Sequence, residues 1–115
     1  MNLAVFASGN GSNFSAIVKA IKQGKIKVHS VILVCDKPGV FVIKRAQKAG
    51  VRVILADRKD FSSRNDFEAA IIERLNCYKI DLIVLAGFMR LLSPAFVKKY
   101  RNRILNIHPS LLPAF

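Results

Sequence analysis

Short apolar runs rich in Val and Ile alternate along the chain with longer segments whose apolar residues recur at helical spacing. The pattern predicts strands at 3–7, 28–35, 51–55, 82–86 and 104–107, with helices at 13–23, 40–49, 64–76 and 94–100 between them. Several strands are apolar at consecutive positions rather than alternating, as expected of strands covered by helices on both faces. The punctuation agrees. Gly24 and Gly50 stand just past helix ends, Ser63 with Asp66 reads as a capping box, and Ser93 precedes Pro94 as an N-cap before a first-turn proline. No internal repeat or low-complexity stretch interrupts the order. The expected fold is α/β, a doubly wound, mostly parallel sheet of the Rossmann-like kind.

Composition narrows the class. With 115 residues, 52% of them hydrophobic, the chain carries one domain's worth of sequence and enough apolar surface for a core, which excludes a disordered segment. No apolar run approaches the ~18 residues that would span a bilayer. No basic residue precedes the first apolar stretch, so a secretory signal is not expected and the cytoplasm is the expected compartment. Cys35 and Cys77 then read as free thiols, in no spacing that would bind zinc, and no metal is expected. The apolar segment 109–115 follows the last strand without a helix, so 1–115 is expected to be a single incomplete domain whose C-terminal part is missing.

A net charge of +12, from 19 Lys and Arg against seven Asp and Glu, calls for an anionic partner. Nucleic acid, an acidic membrane surface and small phosphorylated or carboxylated molecules all fit that field. The cations are dispersed, however: Lys19, Lys22, Lys25 and Lys27, then Lys44, Arg45 and Lys48, then Lys98, Lys99, Arg101 and Arg103 fall mostly where helix faces would point to water. Aromatic residues that could stack bases are not interleaved with them. The dispersal weighs against nucleic acid, and a solvated basic face with no specific partner is the plain alternative.

The first strand runs into Ser8-Gly9-Asn10-Gly11-Ser12-Asn13-Phe14. A glycine-rich turn that opens a helix presents free backbone N–H groups and the positive end of the helix dipole to an anion, and Ser12 and Asn13 add side-chain donors. The dinucleotide fingerprint would need glycine where Phe14 stands, and no Gly-Lys-Ser/Thr follows for a Walker loop. Asp36, at the end of the second strand, occupies the place of a ribose-binding acid and keeps a dinucleotide reading open. The plain alternative is a tight turn with Ser12 or Asn13 as helix cap.

The last strand ends Asn106-Ile107-His108-Pro109-Ser110. In an extended strand Asn106 and His108 share one side while Ile107 takes the other. An amide donor beside a titratable imidazole at a strand's carboxyl end suits addition to a carbonyl, the amide steadying the oxyanion and the imidazole moving a proton. His29 has no polar companion and reads as structural.

Together the turn 8–13, the segment Ala86-Gly87-Phe88-Met89-Arg90-Leu91-Leu92-Ser93 and the segment Asn106-Ile107-His108-Pro109-Ser110-Leu111-Leu112-Pro113 resemble the phosphoribosylglycinamide formyltransferase family. The likeness runs through the chain and matches the larger, N-terminal part of such enzymes. The last segment is shared with other formyl-tetrahydrofolate enzymes such as methionyl-tRNA formyltransferase. The glycine turn and the Gly-Phe-Met-Arg stretch favour the glycinamide ribonucleotide enzyme. The resemblance implies that Gly11, Ser12 and Asn13 hold the substrate phosphate. It implies that Arg64, Met89, Arg90, Leu91, Leu92 and Asn106 bind 10-formyltetrahydrofolate as cosubstrate. It further implies that Asn106 and His108 are catalytic, in a direct transfer from folate to the substrate amine. An aspartate from a later segment serves the histidine in that family, and its absence here predicts a chain nearly inactive alone. The resemblance implies small-molecule partners, with neither nucleic acid nor membrane, and leaves the oligomeric state open, a homodimer included.

Overall fold

A computed structural model describes residues 1–107. The elements are β1 (Asn2–Ala7), α1 (Ser12–Lys22), β2 (Ser30–Cys35), α2 (Phe41–Ala49), β3 (Arg52–Leu55), a 3-10 turn (Arg58–Asp60), α3 (Arg64–Asn76), β4 (Leu82–Leu85), α4 (Pro94–Lys99) and β5 (Ile104–Asn106). The five strands form one parallel sheet in the order β3-β2-β1-β4-β5. The winding direction reverses beside β1, so the loops leaving β1 and β4 part to opposite sides and open a crevice at the carboxyl edge.

Both sheet faces are buried, which is why the strands lack alternation. On one face Phe14, Ile17 and Val18 of α1 and Val42 and Ala46 of α2 pack on Leu3, Val5, Leu33, Cys35 and Val84. On the other, Phe67, Ile71 and Leu75 of α3 and Phe96 of α4 pack on Ala4, Phe6, Ile32, Val34 and Ile83. Burial, which outweighs the Lys37 carbonyl its Sγ–H bonds to, raises the Cys35 thiol above its ordinary pKa, and both cysteines are free.

Element ends differ from the sequence reading where pairing or capping overrides hydrophobicity. Val28 and His29 lie outside β2: the paired register begins at Asn2 opposite Ser30, and ahead of it only the His29 N–H bonds across, to the Met1 carbonyl at 2.6 Å. Val51 lies outside β3 because its N–H closes a helix end, bonding the Ala46 carbonyl at 2.8 Å while Gly50 bonds Gln47. Gly24 and Lys25 close α1 in the same manner on Ile21 and Ala20. Only half of the predicted capping box exists: the Ser63 hydroxyl accepts from the Asp66 N–H at 3.1 Å, and the Asp66 carboxylate takes the Ser62 hydroxyl instead.

One buried carboxylate ties the third and fourth helices together. Glu68 accepts from the Ser93 N–H at 2.7 Å and from the Ser93 hydroxyl, whose oxygen in turn caps the Phe96 N–H. The bond anchors the segment just upstream of α4, which carries part of the site described next.

Candidate functional site

The glycine turn sits at the crevice. Helix α1 starts at Ser12, and its N-cap residue is Gly11, in the left-handed conformation at φ 81° with no side-chain cap. The plain alternative of Ser12 or Asn13 as cap is therefore overturned. The first helical bond runs from the Ser15 N–H to the Gly11 carbonyl, so the N–H groups of Ser12, Asn13 and Phe14 have no acceptor among the described residues. No acidic residue lies in this first turn. Uncapped donors at the positive end of an 11-residue helix are what an anion needs.

Glycine is obligatory here because α2 crosses close by. A Cβ on Gly11 would lie 2.4 Å from Val42 Cγ2. The Val42 N–H donates to the Gly9 carbonyl at 2.9 Å, so the turn caps α2 in place of the side-chain cap that α2 lacks.

The second predicted segment docks directly onto the turn. Buried Ser8 donates its N–H to the Gly87 carbonyl at 3.1 Å and accepts the Met89 N–H on its hydroxyl at 2.8 Å. Side chains alternate beyond that point. Phe88 and Leu92 pack onto the core, whereas Met89 and Leu91 are 75% and 81% exposed. Met89 and Leu91 are therefore not core filling.

Arg90 finds its anion within the fold: its Nε lies 2.7 Å from Oδ2 of Asp36, whose side chain is fully buried. This corrects the reading of Asp36 as a ribose-binding acid, since the carboxylate is committed to Arg90 and shielded from solvent. Arg64, the first residue of α3, read from its position alone as a surface residue. It lines a cavity of about 200 Å³ with Arg58, Phe67, Arg90 and Leu91. With Arg90 already paired to Asp36, the guanidinium groups of Arg58 and Arg64 are the ones left in this cavity to favour a carboxylate or phosphate. Arg58, steadied by a 3.0 Å bond to the Phe61 carbonyl, was not anticipated, because a 3-10 turn has no hydrophobic period to give its direction.

Asn106 ends β5 in register with Leu85, which pairs with Phe6, so its Cα stands two interstrand spacings, about 10 Å, from that of Phe6. It is exposed and shares the sheet face of Leu85, the face that α3 and α4 cover. Ile107 turns to the opposite face and packs with the α1 and α2 cluster, as the two-residue alternation requires. His108 lies outside the described residues. Arg45, expected to face water, is half-buried and bonds the glycine turn instead. Among the described residues no group of three or more His, Cys, Asp or Glu could hold a metal ion, and no helix is long and apolar enough to cross a membrane.

A doubly wound parallel sheet with an uncapped glycine turn at the carboxyl end of its first strand defines an α/β protein of the Rossmann-like class. The formyl transferase family model matches residues 1–115, and the chain belongs to that family. It is 47% identical over 112 residues to phosphoribosylglycinamide formyltransferase of Bacillus subtilis, covering 97% of this chain and 57% of that protein. The Escherichia coli enzyme of the same name is 45% identical over 115 residues, covering all of this chain and 54% of that protein. The crystal structure of glycinamide ribonucleotide transformylase 1 from Geobacillus kaustophilus superposes with a TM-score of 0.90 at 49% identity, over 99% of this chain and 61% of that one. The chain thus spans a little over half the length of these relatives. The similarity favours glycinamide ribonucleotide enzymes over the tRNA and dinucleotide readings.

Proposed function

We propose that this chain supplies the substrate-binding part of an enzyme that transfers a formyl group from 10-formyltetrahydrofolate to the amine of glycinamide ribonucleotide, in purine biosynthesis. The observation that carries the reading is the junction at Ser8, which joins the glycine turn to the Gly87–Leu92 segment in one crevice. On one side the N–H groups of Gly11, Ser12 and Asn13 receive the ribonucleotide phosphate. On the other, Met89, Leu91 and Leu92 line the folate's aromatic body, Arg64 and Arg58 face its anionic end, and Arg90, paired with Asp36, holds the folate-binding segment in place.

In this reading the substrate amine attacks the formyl carbon. The Asn106 amide donates to the oxygen that becomes negative in the tetrahedral intermediate, and His108 moves the proton that lets the folate nitrogen depart. No step calls on a metal or a covalent enzyme intermediate. Both substrates are small molecules, the cytoplasm is the compartment that fits them, and the unit 1–115 acts as one incomplete domain.

The test is calorimetric titration with glycinamide ribonucleotide and, at the same salt concentration, NADH. The ribonucleotide is expected to bind and NADH is not. Binding of NADH alone would overturn the reading in favour of a dinucleotide site.

A further inference from the structure

Arg45 lies on α2, outside the crevice, and yet its guanidinium is spent on the glycine turn and the first turn of α1. Its Nε donates to the Asn10 carbonyl at 2.8 Å, one terminal nitrogen to the Ser15 hydroxyl at 3.2 Å, and the other to the Asn10 side-chain oxygen at 3.4 Å. The guanidinium also stacks on Phe41, one helical turn earlier, with Cζ 4.6 Å from the ring centroid. Asn10 and Ser15 bracket the stretch whose N–H groups are uncapped, so one planar fork clamps both of its ends.

We propose that Arg45 is a positioning residue for the anion site, holding the turn in its binding shape and polarising it without touching the ligand. Two physical effects support this. Gly9 and Gly11 make the turn intrinsically loose, and ordering it at the moment of binding would cost affinity that a pre-set clamp saves. The Asn10 carbonyl and the Gly11 N–H belong to one peptide unit, so a cation on the oxygen drives positive charge onto the N–H that faces the anion. Lysine could supply the charge but not three donors in a fixed fork. The role rests on the reading above, in which Gly11, Ser12 and Asn13 hold the substrate phosphate.

The test follows the Gly11, Ser12 and Asn13 amide resonances of this chain by NMR, first as backbone order parameters without ligand and then in a titration with glycinamide ribonucleotide. Arg45→Ala is expected to lower the order parameters of these amides and weaken binding about tenfold, the loss of a charge-assisted hydrogen bond. Arg45→Lys is expected to behave like Arg45→Ala. Lys44→Ala removes an equal charge from an exposed neighbour on the same helix and should change affinity by no more than about twofold. The remaining resonances report that each variant keeps its fold. If Lys restores binding, or Lys44→Ala costs as much as Arg45→Ala, Arg45 supplies only charge and the proposal fails. A wild-type chain whose three amides ignore the ribonucleotide refutes the phosphate assignment and the positioning role with it. Wild-type shifts and order parameters that Arg45→Ala leaves unchanged refute the positioning role alone.

Discussion

At Gly11 a left-handed backbone and a crowded neighbour act together. The φ of 81° is costly for any residue with a Cβ, and that Cβ would also meet Val42 Cγ2 at 2.4 Å and Val42 Cβ at 2.6 Å. Gly87 has a similar φ of 76° and nothing within 4 Å of a built Cβ, so it isolates the backbone part. Gly87→Ala is expected to cost about 1–2 kcal/mol, from the left-handed conformation alone. Gly11→Ala should cost about 3 kcal/mol, because overpacking adds to that strain, and should remove the turn's own share of ribonucleotide binding. Adding Val42→Ala to Gly11→Ala should return part of the packing loss but none of the strain, a coupling that a double-mutant cycle in urea would detect. Additive losses in that cycle would mean that α2 does not constrain the turn.

Elements are joined at the crevice by contacts far apart in sequence, and the pair Asp36–Arg90 is the most polar of them. It ties the end of β2 to the loop between β4 and α4, with Asp36 fully buried and the Arg90 side chain 37% exposed. The two ends are therefore not equivalent. Arg90→Ala would strand a carboxylate in the interior and is expected to cost about 3–5 kcal/mol. Asp36→Asn lets Arg90 fall back on water and is expected to cost about 1 kcal/mol. The double variant should be more stable than Arg90→Ala alone, and equilibrium denaturation of the three proteins checks the order. This asymmetry also explains what was legible in the sequence. Strands could be read as short continuous apolar runs and helices from apolar residues at helical spacing, and Gly24, Gly50, Ser63 and Ser93 mark local chemistry. The glycine turn was legible for the same reason, since its conformation is written in adjacent residues. Asp36 was misjudged because its partner lies 54 residues away. Arg45 was misjudged because helical period shows which face a cation occupies and not which carbonyl it reaches. The convergence of Arg58, Arg64 and Arg90 on one cavity comes from the order of strands, which no local pattern contains.

Across the whole molecule, 19 cationic side chains face seven carboxylates, and among the described residues one ion pair forms. Most of the positive charge is thus free to act at a distance on an incoming phosphate. Two contributions to affinity follow, and salt separates them. The field of dispersed lysines reaches the crevice through solvent and is screened as the Debye length falls from about 30 Å at 0.01 M salt to about 10 Å at 0.1 M. The N–H groups of the glycine turn act within hydrogen-bond distance, where intervening ions cannot enter. Ribonucleotide affinity is therefore expected to fall steeply over the first increments of salt and then level off at a value set by the turn. Calorimetric titration across that range, repeated with Gly11→Ala, checks the division: the variant should keep the steep part and lose the plateau. A wild-type affinity that keeps falling without a plateau would mean that the general field does the binding and that the uncapped turn adds nothing specific to it.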